Sequence, residues 1–210
     1  SNWVEIIGGN ATSVWNAGSQ NAVLGYAYNA SSAGNIMLID GLGVGGSAVI
    51  TNIGAISVGN RGGAIFSSGN CLIVTNGGCL FSGNIVVGTY QNAGNPAGAT
   101  NLYAIDGGAA GSVVSNGAIT IGNGIVGILG GNAMTVANAD LKSGALTIGN
   151  ISSSNNVSVS GNTTWNMLAG TLTVGSSVAT NNTMIIDAGV ITNAGIVAVG
   201  NLAGANINSL

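Results

Sequence analysis

The stretch NTMIIDAGVITNAGIVAVG, residues 182–200, holds the pattern that decides the fold. It opens at Asn182 and places apolar Met184 and Ile186 two and four residues on. A second apolar segment follows at Val190-Ile191-Thr192, and the stretch closes on Val197-Ala198-Val199-Gly200. Alternation of period two over four or five residues, bounded by Asn and Gly, marks a strand with one buried face.

The closing element, apolar-x-apolar-Gly, recurs along the whole chain. It reads Ala22-Val23-Leu24-Gly25, Ile56-Ser57-Val58-Gly59, Ile85-Val86-Val87-Gly88, Ile119-Thr120-Ile121-Gly122, Leu146-Thr147-Ile148-Gly149, Leu172-Thr173-Val174-Gly175 and Val197-Ala198-Val199-Gly200. The closing glycines lie 34, 29, 34, 27, 26 and 25 residues apart. The opening asparagine recurs as well, at Asn2, Asn35, Asn70, Asn101, Asn132, Asn155 and Asn182, and the residues two and four places on are apolar each time. Between the two lies a weaker segment, seen at Ala48–Thr51, Cys79–Phe81, Ser112–Val114 and Val190–Thr192. Self-similarity at a period of 23–35 residues is the signature of a repeat architecture.

Helix competes poorly, because the apolar period is two and a glycine or asparagine every few residues disfavours it. A β-sandwich has no reason to place equivalent asparagines and glycines in seven successive units. A solenoid has one, since the same backbone corner recurs in every coil. The expectation is therefore all-β: one domain over residues 1–210, a parallel β-helix of about seven coils, right-handed as parallel crossovers are. Leu24, Val58, Val87, Ile121, Ile148, Val174 and Val199 then stack as one inward column. The seven asparagines stack likewise, either as a hydrogen-bonded amide ladder or as ordinary turn asparagines tolerating unusual backbone angles. A single coil buries too little to offset its ordering entropy, so each depends on its neighbours. Neither end shows a charged, proline-rich or helical cap, which implies stacking on other copies or excision from a longer solenoid. The start at Ser1 suggests a processed or excised chain.

Composition narrows function. Of 210 residues, 38 are Gly, five are acidic, two are basic and none is His, for a net charge of −3. Mean hydropathy is +0.54, too apolar for disorder. General acid–base chemistry, metal capture and phosphate binding all need charged or titratable side chains, so no enzyme, cofactor or metal is expected. Two cations, Arg61 and Lys142, exclude a nucleic-acid role. Every apolar run is interrupted well short of the roughly 18 residues of a spanning helix, so no membrane insertion is expected.

The residual motifs have plain readings. Asp40, Asp106 and Asp187 each fall five residues after a unit's asparagine, in different coils, and read as turn residues rather than calcium ligands. Asp140 and Lys142 share one coil edge. Cys71 and Cys79 form either a disulfide or free thiols, with Cys71 facing outward. Six Asn-x-Ser/Thr triplets are what so Asn-rich a chain produces by chance. Thr120, Thr147 and Thr173 form a short outward hydroxyl row of the kind seen on ice-binding solenoids, or simply solvent-facing strand residues.

Outward positions of the early units are apolar: Ile36, Leu38, Ile73 and Leu102, against Thr135, Asn156, Ser158 and Thr183 later. This face calls for cover, by the long connections that carry Tyr26, Tyr28, Phe66 and Tyr90 or by another subunit.

The 182–200 unit, with the Ser13–Asn16 and Thr164–Asn166 turns, resembles the repetitive passenger segments of bacterial autotransporter-type and related extracellular β-strand-repeat proteins. The resemblance spans nearly the whole chain and implies secretion to the cell surface and an adhesive or structural part. No outer-membrane barrel sequence lies within these 210 residues. The expected function is a non-enzymatic extracellular β-solenoid that associates with itself into a surface fibre, sheath or layer. The alternatives are an adhesin that binds glycans or matrix through its aromatic loops and, less favoured, an ice-binding solenoid or a polysaccharide lyase.

Overall fold

The computed structural model describes residues 1–28, 30–44, 47–62, 67–90, 100–124 and 130–210. Among these residues the chain is a parallel β-solenoid built of three seven-stranded sheets, with a two-stranded sheet of Ser32–Ala33 and Ser67–Ser68 beside them. The first sheet collects the Asn-led strands Trp3–Ile7, Ile36–Asp40, Cys71–Thr75, Leu102–Asp106, Ala133–Ala137, Asn156–Ser160 and Thr183–Asp187. The third collects the strands of the apolar-x-apolar-Gly motif, from Ala22–Ala27 to Val197–Val199. Each strand pairs in parallel with its counterparts in the preceding and following coils, so strands about one repeat apart in sequence are neighbours in space.

The second sheet lies between them. It contains the four weak segments noted in the sequence and three more strands, Ser13–Asn16, Ala139–Lys142 and Thr164–Asn166. Two of these three, Ser13–Asn16 and Thr164–Asn166, read as turns in the sequence; they are strands in the structure. The cause is tertiary. Trp15 and Trp165 stand in one inward column with Ile50, Leu80, Val114, Leu141 and Ile191, and pairing with the flanking coils extends segments too short to declare themselves.

Inward side chains form one continuous hydrophobic cluster from Leu24 to Met184. The column Leu24, Val58, Val87, Ile121, Ile148, Val174 and Val199 is in register throughout. Like side chains stacked at the strand spacing of about 4.8 Å pack methyl on methyl, which favours the β-branched residues found there. Two larger side chains fit this narrow interior only with their polar atoms satisfied. Trp165 is fully buried and donates from Nε1 to Ser143 Oγ at 2.8 Å. Tyr103 is fully buried and its hydroxyl donates to Asn116 Oδ1 at 2.9 Å. Burial pushes the Tyr103 phenol well above its ordinary range, an effect the Asn116 hydrogen bond only partly offsets.

The motif glycine turns the chain out of the third sheet. Gly25, Gly59, Gly88, Gly122, Gly149, Gly175 and Gly200 have φ between 67° and 76°, a left-handed geometry that costs other residues about 1–2 kcal/mol. A Cβ would also be excluded by space. At Gly59, Gly88, Gly122 and Gly149 it would overlap the side-chain amide of Asn101, Asn132, Asn155 and Asn182 respectively. The glycine of one motif is thus the floor on which the asparagine of another rests.

Candidate functional site

The corner before the first sheet is the most regular polar structure in the protein. Asn2, Asn35, Asn70, Asn101, Asn132, Asn155, Asn182 and Asn208 form a continuous amide ladder. Each Nδ2 donates to Oδ1 of the next asparagine at 2.7–3.1 Å. Each backbone N–H donates to the same oxygen at 2.9–3.3 Å. Every Oδ1 from Asn35 onward therefore accepts two hydrogen bonds, and the remaining Nδ2 hydrogens go to local groups such as Ser67 Oγ or Ser152 O. From Asn35 to Asn182 these residues are buried, where an unpaired amide would cost about 1–3 kcal/mol. The aligned amides polarise one another along the stack. Asn208 was not singled out in the sequence because no alternating strand follows it. Its signal was the spacing of 26 residues from Asn182, inside the range of the other steps.

Two outward columns of the first sheet carry the apolar positions. One runs Trp3, Ile36, Cys71, Leu102, Ala133, Asn156, Thr183, and the other Glu5, Leu38, Ile73, Ala104, Thr135, Ser158, Ile185. Ile36, Leu38, Ile73 and Leu102 are thus brought together on one face of adjacent coils, each half-buried. Of the aromatic residues assigned to the same surface, Tyr26 and Tyr28 are 56% and 57% exposed. Tyr26 shares with Ile36 a hollow of about 360 Å³ at the first-coil end. Tyr90 does not belong there. It is the last residue of the strand Ile85–Tyr90, only 4% exposed, and its hydroxyl lies 3.4 Å from the Asn132 Nδ2 that donates to it. Pairing of that strand with Ile56–Arg61 extends order past the motif glycine and turns the ring inward against the ladder, which the local sequence does not announce. Phe66 lies outside the described residues.

Asp40 and Asp106 act within turns. Asp40 Oδ1 accepts from Leu42 N–H at 2.8 Å and from Asn76 Nδ2 at 3.1 Å, and Asp106 Oδ1 accepts from Gly108 N–H at 3.1 Å. Cys71 and Cys79 are free thiols, Cys71 half-buried and its thiol pushed up by burial, Cys79 buried. Thr120, Thr147 and Thr173 stand in register, the first two half-buried, but Thr173 is buried, so the row does not continue as an exposed hydroxyl surface. Among the described residues, no three of Cys, Asp and Glu come together as a metal site could require.

The second sheet carries a feature that sequence reading missed. Its outward face forms a groove of about 400 Å³, with Phe81 at one end and Asp140 and Lys142 in the middle. Of the two bases in the chain, Arg61 is buried and Lys142 is exposed.

At both ends of the stack the inward positions are open. Val4 and Trp15 are exposed at the first coil, and Ile186, Val197 and Val199 at the last.

The class these features define is an all-β repeat protein, a parallel β-solenoid braced by an internal amide ladder. Comparison with protein-family models, curated proteins and solved structures finds no match to the chain.

Proposed function

We propose that the chain is a non-enzymatic, extracellular structural β-solenoid, a self-associating subunit of a surface fibre, sheath or layer, of the autotransporter-passenger kind that its repeats resemble. The observation that carries this reading is the change of character along one outward face. Leu38 and Ile73, flanked by Ile36 and Leu102, occupy the columns that hold Thr135, Asn156 and Ser158 three coils later. The polar stretch from Thr135 to Ser158 suits water, before the column closes on exposed Ile185 at the last coil. The apolar half, its side chains half-buried on adjacent coils, suits burial against a like surface, because contiguous apolar patches mark contact sites. A net charge of −3 spread over 210 residues offers little repulsion between copies. The near absence of titratable side chains supports a structural rather than a catalytic part.

Sedimentation velocity and negative-stain electron microscopy over a concentration series test the proposal. Filaments, sheets or concentration-dependent oligomers are expected, and they should weaken in Leu38→Thr/Ile73→Thr, which copies the Thr135 of the same column and keeps strand propensity. Dispersed monomeric rods at every concentration refute self-association. Assembly that survives in the folded double variant refutes this face as the contact.

A further inference from the structure

From the groove on the second sheet we infer a saccharide-binding site that takes a neutral, extended oligosaccharide lying along the solenoid axis. The register builds the site. Phe81, Ser115, Lys142, Asn166 and Thr192 form one outward column through five successive coils, about 19 Å long at the strand spacing. Val113, Asp140 and Thr164 form the column beside it. A register shift between Leu80 and Ser82 interrupts pairing with the preceding strand, so Phe81 stands where the regular column begins. Its ring is 38% exposed.

The chemistry of the lining selects the ligand. A peptide docking by strand addition needs free backbone donors and acceptors at a sheet edge. Here the central strand Ala139–Lys142 is paired on both sides, with Ser112–Ser115 and with Thr164–Asn166, so its main chain is already occupied. What remains is a ring face, hydroxyls, one carboxylate, one ammonium and an amide. The Oδ1 of Asn166 accepts from Leu168 N–H at 2.9 Å and Asn193 Nδ2 at 3.3 Å, and its Nδ2 hydrogens have no acceptor among the described residues. A pyranose chain offers the matching set: apolar C–H faces for the electron-rich face of Phe81, and hydroxyls that both donate to Asp140 and accept from Lys142 and Asn166. Charge argues for a neutral chain. Lys142 sits on the same face as Asp140, two residues away on one strand, and the protein is net negative, so an anionic glycan gains nothing over a neutral one. Two of the chain's seven charged side chains are spent on this one groove.

Affinity electrophoresis in gels cast with hydroxyethyl cellulose, glycol chitin, dextran or polygalacturonate, followed by calorimetry with the matching hexasaccharide, tests the inference. At least one neutral polymer is expected to retard the protein. Phe81→Ala and Asp140→Ala should each lower affinity by tenfold or more, while Tyr26→Ala, outside the groove, leaves it unchanged. All three positions are exposed, and far-UV circular dichroism confirms that the variants fold. Retardation by none of the neutral polymers overturns the inference, as does retardation by polygalacturonate alone, or binding that the two groove variants leave intact. The site does not depend on the self-association proposed above, and Leu38→Thr/Ile73→Thr is expected to bind as the parent does.

Discussion

Replacing Asn101 by leucine, a side chain of similar size, interrupts the amide ladder at its middle. The Asn101 Oδ1 accepts from Asn70 N–H at 3.2 Å and Asn70 Nδ2 at 2.9 Å, and both donors lie in a buried corner. Leucine offers them no acceptor. At about 1–3 kcal/mol for each stranded donor, the expected loss is about 2–6 kcal/mol. Asn132 Oδ1 loses the Asn101 Nδ2 but keeps the Asn101 backbone N–H at 3.3 Å, and Ser67 O loses the donor it held at 3.2 Å. Against a total stability of about 5–15 kcal/mol, the effect is large enough to move a urea midpoint clearly. Unfolding should be followed by far-UV circular dichroism and by tryptophan fluorescence, since buried Trp165 reports on a coil well beyond the substitution. The control is Asn16→Ala, whose exposed side chain accepts from Gly18 N–H and Asn52 Nδ2 and should cost about 1 kcal/mol. If Asn101→Leu destabilises no more than Asn16→Ala, the ladder contributes nothing beyond surface hydrogen bonding and the account of the corner fails.

Two further tests separate other parts of the design. Gly122→Ala meets both a left-handed φ of 76° and the Asn155 amide, whereas Gly111→Ala meets a φ of 71° with open space around it. Denaturant titration should find about 1–2 kcal/mol lost at Gly111 and at least twice that at Gly122; equal losses would mean the glycine floor does not matter. For Tyr103 the folded-state pKa is raised, so the folded protein keeps its phenolic proton at a pH where the unfolded chain gives it up. That contribution is fully present below the unfolded value of about 10 and is lost as pH rises above it, at about 1.4 kcal/mol per pH unit. Tyr103→Phe should remove this part of the alkaline slope in stability measurements between pH 9 and 11.5, and an unchanged slope would refute the burial argument.

The parts of the fold legible in the sequence were those written by adjacent residues. The strands of the first and third sheets alternate apolar and polar side chains within five residues, and a repeated asparagine or glycine marks their ends, so they could be read without knowing what lay beside them. The second sheet was half legible. Ala48–Thr51 and Val190–Thr192 show a short apolar signal, but Ser13–Asn16 and Thr164–Asn166 carry only one or two apolar residues between polar ones and look like turns. They become strands because flanking coils supply hydrogen-bond partners on their sides. Tyr90 was misplaced for a related reason, since a residue beyond the motif glycine reads locally as connection.

By itself, then, the sequence determined the architecture: period-two patterning, the asparagine corners and the left-handed glycines admit a solenoid and little else. It also determined, by the scarcity of charge, that chemistry needing acids, bases or metals has few side chains to draw on. Tertiary structure alone decided which outward residues meet. Coils of 23–35 residues absorb their length differences in the connections, so the distance in sequence between neighbours in a column varies from step to step, and only strand pairing sets the register. That is why Phe81, Lys142 and Asn166, 61 and 24 residues apart in the chain, share one groove, and why Asn208 joins a ladder that begins at Asn2.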